Sequence, residues 1–85
     1  MNKFTYTIKD KDGIHARPAG LLVKEASKYD CEITIELGRN TANAKKIFSV
    51  MSLGAKYDDE ITITSEGSDE DEAMTALESF IKENL

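Results

Sequence analysis

The sequence predicts an α+β fold, a four-stranded antiparallel sheet with three helices packed on one of its faces. Three observations carry this. Apolar residues alternate with polar ones in three separate stretches, the period of a half-buried strand, and a short fourth strand follows a Gly-Arg turn. In three other stretches the apolar spacing changes to three and four residues, the period of a helix buried along one side. The order is βαββαβα, and helices gathered on one face of an antiparallel sheet bury all these stripes at once.

In the first strand Phe4, Tyr6 and Ile8 alternate with Thr5 and Thr7, and Lys9-Asp10-Lys11-Asp12-Gly13 makes the polar loop after it. Ala19, Leu22, Val23 and Ala26 then stand at i, i+3, i+4 and i+7 of a helix beginning near Ala16, with Lys24, Glu25 and Lys28 off that face. Ile33, Ile35 and Leu37 alternate in the second strand, and Gly38-Arg39 turns the chain into a short strand from Asn40 to Asn43. Lys46 to Leu53 is a short helix with Ile47, Val50 and Met51 on one side and Gly54 as its stop. Ile61 and Ile63, interleaved with Thr62 and Thr64, form the last strand. Ser68 caps the final helix, whose acidic start (Asp69, Glu70, Asp71) suits its positive end, and Ala73, Met74, Leu77 and Ile81 give its apolar face.

Eighty-five residues suit one domain spanning 1–85, and 40% hydrophobic with 32% charged residues is a globular balance. No apolar run approaches the roughly 18 residues of a membrane span, and Met1 to Asp12 is too polar for a signal peptide. Cys31, the sole cysteine, has no internal disulfide partner and joins no metal-ligand cluster, so it reads as a small strand residue in a reduced, cytoplasmic setting. The net charge of −5 argues against nucleic acid, but it is unevenly spread. Residues 14–56 hold seven Lys/Arg against four acids, whereas residues 57–85 hold one Lys against ten acids. A locally basic region of this kind can be steered toward an acidic partner.

That basic region contains Gly13-Ile14-His15-Ala16-Arg17-Pro18-Ala19-Gly20, with the only histidine and the only proline of the chain. With His15 at the cap, Ala16, Arg17 and Pro18 occupy the first helical turn, where a proline loses little because the N–H groups have no intrahelical acceptor. The Ala16 and Arg17 N–H groups stay free at the positive end of the helix dipole, beside the Arg17 guanidinium. His15 adds a neutral nucleophilic nitrogen. A phosphoryl group attached to His15 would be stabilised there. There is no Walker loop, no carboxylate pair at an evident metal spacing and no Ser/His/Asp arrangement, so neither a cofactor nor a metal is expected. A nucleophile without substrate-binding apparatus points to a carrier rather than an enzyme.

The run Gly13 to Ala19 resembles the G-[IL]-H-A-R-P-A motif of the HPr family, the histidine-containing phosphocarriers of the bacterial sugar phosphotransferase system. A second block, Asn43-Ala44-Lys45 through Val50-Met51-Ser52-Leu53-Gly54, is similar to that family's second-helix signature. The resemblance implies an open-faced β-sandwich and a phosphate taken by Nδ1 of His15 from Enzyme I, then passed to the sugar-specific A components of permeases. Arg17 would stabilise the phosphate, and no membrane insertion and a monomer are expected. It also implies a partner surface on the first two helices, here Gly20, Lys24, Ile47, Phe48 and Met51.

Two positions depart from the family. Many relatives carry a regulatory serine before the second helix, but this chain has Lys46 there, which removes the HPr kinase target and its added negative charge. Ser49 and Ser52 are near but do not align with it. Gly20 replaces a frequent threonine, at a cost of about 1 kcal/mol relative to alanine in a helix. Two other classes compete with the sugar carrier. A regulatory paralogue of the same fold would serve a nitrogen or other non-sugar pathway; retention of both His15 and Arg17 speaks against a non-catalytic version. An acylphosphatase-like hydrolase would need its own phosphate-cradling loop, which is not found beside the first helix.

Overall fold

A computed structural model describes residues 1–85. The elements are β1 (Asn2–Thr7), α1 (Ala16–Ala26), β2 (Glu32–Leu37), β3 (Asn40–Asn43), α2 (Ile47–Ser52), β4 (Glu60–Glu66) and α3 (Glu70–Asn84). The strands form one antiparallel sheet in the order β1-β4-β2-β3, with the helices on one face. Register explains which side is covered. Phe4 lies opposite Ile63, Tyr6 opposite Ile61, and Ile35 opposite both Ile63 and Ala42. A period of two then turns Thr5, Thr34, Thr62 and Thr64 to the open face. The covered face meets a cluster of 20 buried residues that includes Ile8, Leu22, Val50, Leu77 and Ile81. Phe4, Tyr6, Val23, Tyr29, Leu37, Ile47 and Phe80 pack around it.

On α3 the buried residues are Ala73, Met74, Leu77 and Ile81, as the periodicity predicts. On α1 the stripe is Pro18, Ala19, Leu22 and Ala26, and Val23 moves to its half-buried flank. The greater change is on α2. Val50 is fully buried and Ile47 half-buried, but Met51 is 39% exposed. A helix of fewer than two turns buries only a narrow line, and Met51 sits about 100° around from Val50. Leu53, just past the helix, fills the core in its place, and Gly54 ends the turn at φ +69.

Two further expectations are corrected. Cys31 precedes β2 rather than lying in it, and it is buried. Ser68 does not cap α3; the cap position belongs to Asp69, and Ser68 is exposed. Glu70 instead reaches back to accept the Gly67 N–H at 3.1 Å. The Asp69 carboxylate turns away from its own helix and accepts the N–H groups of Asp30 (2.8 Å) and Cys31 (2.9 Å). It thereby ties the α1–β2 connection to the start of α3, across 39 residues of sequence.

These contacts predict an acid sensitivity. The hydrogen bond from the Asp30 N–H, and then those from Cys31, hold the Asp69 carboxyl below its usual value of 3.8. Depression in the folded state means the stabilisation is complete above the ordinary pKa and is lost as pH falls through the folded one. Asp69→Asn should therefore lower the melting temperature near neutral pH, with the gap from wild type shrinking as the pH drops below about 4. Thermal melts from pH 7 to pH 2 check this; a constant gap would assign the loss to packing alone.

Candidate functional site

The β1–α1 loop is held by a glycine and a buried isoleucine. Gly13 has φ +68, and a Cβ there would stand 2.5 Å from the Ala55 carbonyl oxygen and 2.7 Å from Lys56 Cα. Any side chain is thus excluded both by conformation and by contact. Ile14, only 6% exposed, plugs the core and donates its N–H to the same Ala55 carbonyl at 3.0 Å. These two anchors deliver His15 to the N-cap position of α1, with φ −95 and ψ −176.

The His15 carbonyl accepts the Ala19 N–H at 3.0 Å, while its imidazole makes no capping hydrogen bond and its side chain is 42% exposed. Ala16 and Arg17 are the first two helical residues and both are exposed. Their N–H groups have no intrahelical acceptor. Pro18 follows as the third residue, buried, where its missing N–H is not needed. No carboxylate pairs with Arg17. The result is an exposed nucleophilic ring beside free N–H donors, the positive end of an 11-residue helix and an unpaired guanidinium.

Around His15 lies a shallow cleft of about 150 Å³ formed by Asp10, His15, Arg17, Pro18, Leu21, Glu83 and Asn84. The end of α3 reaches it because the Leu85 carbonyl oxygen accepts the N–H groups of Lys9 (2.5 Å) and Asp10 (2.7 Å). Asp10, Leu21, Glu83 and Asn84 were not singled out from the sequence. Leu21 carried a signal, since it stands one turn beyond Arg17 and off the buried stripe, and it is 40% exposed. Glu83 and Asn84 carried none, because only tertiary packing brings them here.

A larger hollow of about 360 Å³ lies over residues 30–34 and 41–45, at the β2–β3 edge. It offers no ready nucleophile. Burial first, then the Asp69 carboxylate, push the Cys31 thiol up to about 11, and Lys45 Nζ donates to the Tyr29 carbonyl at 2.5 Å.

The sequence showed no carboxylate pair at an evident metal spacing, yet folding brings oxygens of Asp10 and Asp12 and a ring nitrogen of His15 within 4.8 Å of one another. The Asp-x-Asp spacing was the available signal. The imidazole in this group is also the one exposed at the head of α1, so the two carboxylates form its electrostatic surroundings.

The proposed partner residues fall on one side of α1 and α2. Phe48 is 80% exposed and Met51 joins it at the surface, while Ile47 is half-buried. Gly20 faces Ile47, whose Cδ1 would be 3.7 Å from a Cβ placed on the glycine, an ordinary contact distance. Lys24 is exposed one turn further along α1. Lys46 is the exposed N-cap of α2. Ser49 is engaged internally, its Oγ accepting the Asn43 N–H at 2.9 Å.

Comparison with known proteins agrees with this geometry. The family model "PTS HPr component phosphorylation site" matches residues 2–83. The phosphocarrier protein HPr of Mycoplasma genitalium is 44% identical over 85 residues, 99% of this chain and 97% of that one. A solved mycoplasma histidine-containing phosphocarrier protein superposes with a TM-score of 0.94 at 43% identity, covering 96% of this chain and 93% of that one. A solved HPr dimer from Thermoanaerobacter tengcongensis is 42% identical with a TM-score of 0.77, covering 98% of this chain and 95% of that one. Family model, sequence and backbone agree over nearly the whole length, and the chain belongs to the HPr family, the phosphocarriers of the phosphotransferase system.

Proposed function

We propose that His15 is the phosphoryl acceptor of this carrier, taking the group on Nδ1 from phosphorylated Enzyme I and passing it to sugar-specific permease A components. The observation that carries the reading is the exposed imidazole at the head of α1, flanked by free N–H groups and Arg17. Phosphoryl transfer asks a protein mainly for positioning and for charge placed where the phosphoryl oxygens will be. Here the anchors at Gly13 and Ile14 position the ring, while the Ala16 and Arg17 N–H groups, the dipole and the Arg17 guanidinium supply the charge. The chain acts as a carrier and not as an enzyme. Its cleft is shallow, and its partners bring the rest of the chemistry. It works in the cytoplasm as a one-domain monomer, a reading supported by the His15 cleft being lined by residues of one chain. With Lys46 at the regulatory position, HPr kinase control is lost. Incubation with phosphoenolpyruvate and Enzyme I, followed by intact mass and acid and base stability, tests the assignment. One acid-labile, base-stable phosphoryl group is expected, and no added mass would reject it.

Gly20, Lys24, Ile47, Phe48 and Met51 form the surface that receives both partners, with Phe48 as the aromatic anchor. A phenyl ring left 80% exposed contributes little to the core and can gain much by burial in a complex. Phe48→Ala should weaken Enzyme I binding by about 1–3 kcal/mol and leave the melting temperature nearly unchanged. Titration calorimetry and thermal melts check both halves. A large stability loss with intact affinity would return the ring to the core.

A further inference from the structure

We infer that Asp10 is a positioning residue for His15, holding the imidazole in the tautomer that leaves Nδ1 free to attack phosphorus. The inference rests on His15 being the acceptor.

Asp10 is fixed on three sides. Its N–H donates to the Leu85 carbonyl oxygen at 2.7 Å, its carbonyl accepts the Gly13 N–H at 3.0 Å, and Oδ1 accepts the Asp12 N–H at 2.9 Å. That leaves Oδ2, which stands 3.8 Å from Nε2 of His15, an ion-pair separation just beyond hydrogen-bond reach. The other charged groups around the ring are Asp12 from the same loop, Arg17 from α1 and Glu83 from α3. Of these, only Asp10 stands within ion-pair distance of the ring.

A neutral imidazole has one protonated and one nucleophilic nitrogen, and which is which depends on what each faces. A carboxylate facing Nε2 favours the proton there, so the lone pair is left on Nδ1. In the transfer step that lone pair forms the new N–P bond. The donor's bond to phosphorus breaks, and its electron pair leaves with the donor atom. The Nε2 proton stays in place, so the phosphorylated ring carries one positive charge shared by both nitrogens. The Asp10 carboxylate then faces a charged N–H instead of a neutral one, and a small side-chain rotation closes the gap to a charge-assisted hydrogen bond. The contact strengthens as charge develops, which is what distinguishes help to the transition state from simple binding. Passing the phosphoryl group onward reverses these changes.

The test combines imidazole ¹⁵N NMR with transfer kinetics on the full chain. In wild type the nitrogen shifts should report Nε2 as the protonated atom of the neutral ring. Asp10→Ala should move the ring toward a mixture of tautomers. It should also slow phosphoryl acceptance by about three- to tenfold, with KM for phosphorylated Enzyme I within about twofold of wild type. Asp10→Glu should restore part of both. A tautomer ratio and rate in Asp10→Ala that match wild type would overturn the role. The acceptor assignment fails separately, by an unphosphorylated His15 in wild type.

Discussion

His15→Ala is expected to abolish phosphorylation by Enzyme I while leaving the fold and its melting temperature almost intact. The two halves have different origins. The chain has one histidine, the Cys31 thiol is buried and pushed up to about 11, and the exposed serines Ser27, Ser52, Ser68 and Ser79 lie outside the cleft around His15. Stability survives because the cap contribution of His15 comes from its backbone. Its carbonyl accepts the Ala19 N–H, its side chain caps nothing, and alanine preserves the first contact. Surface substitutions of this kind stay within about 0.5 kcal/mol. Radiolabel transfer and thermal melts on the same preparation decide the matter. Retained label in His15→Ala would move the acceptor elsewhere.

The contrast between the two ends of the cleft shows what a sequence can reveal. His15, Ala16, Arg17 and Pro18 are contiguous, so helix-start rules place their donors and charge from the sequence itself. The apolar stripe of α3 is equally legible because 15 residues give the 3.6-residue period room to declare itself. Six residues of α2 do not: their spacing sets Met51 beside Ile47 and Val50, the family resemblance sets it on the partner surface with Phe48, and it faces solvent. Ser68 is misread as a cap for a different reason. Local rules favour a hydroxyl before an acidic run, but the nearby N–H groups of Asp30 and Cys31 draw Asp69 into a long-range contact that no local pattern encodes. The same holds for Glu83 and Asn84, which reach the cleft only through the docking of the chain's end on Lys9 and Asp10.

Arg17→Ala should slow phosphoryl transfer by about tenfold or more, over roughly 1.4 kcal/mol of barrier, without destabilising the protein. The size follows from where the guanidinium sits. At about 4 Å from a phosphoryl oxygen, a unit charge is worth about 1 kcal/mol in bulk water and about 4 kcal/mol near a protein surface. A partner docked over the cleft that Arg17 and Leu21 line would shift it from the first regime toward the second. Added salt should reduce the gap between wild type and variant before docking more than after it. Arg17→Lys should recover part of the rate, because it keeps the charge but loses the two-pronged hydrogen bonding. Stability points the opposite way. A fixed cation in the first turn of α1 faces the positive end of the helix dipole, which costs about 0.3–1 kcal/mol, and no carboxylate offsets it. Removing Arg17 should therefore leave the melting temperature unchanged or raise it slightly. Slower transfer with equal or higher stability would identify a residue placed against the interest of the fold. Normal transfer rates would show that the N–H groups of α1 suffice, and a lower melting temperature would give Arg17 a structural role.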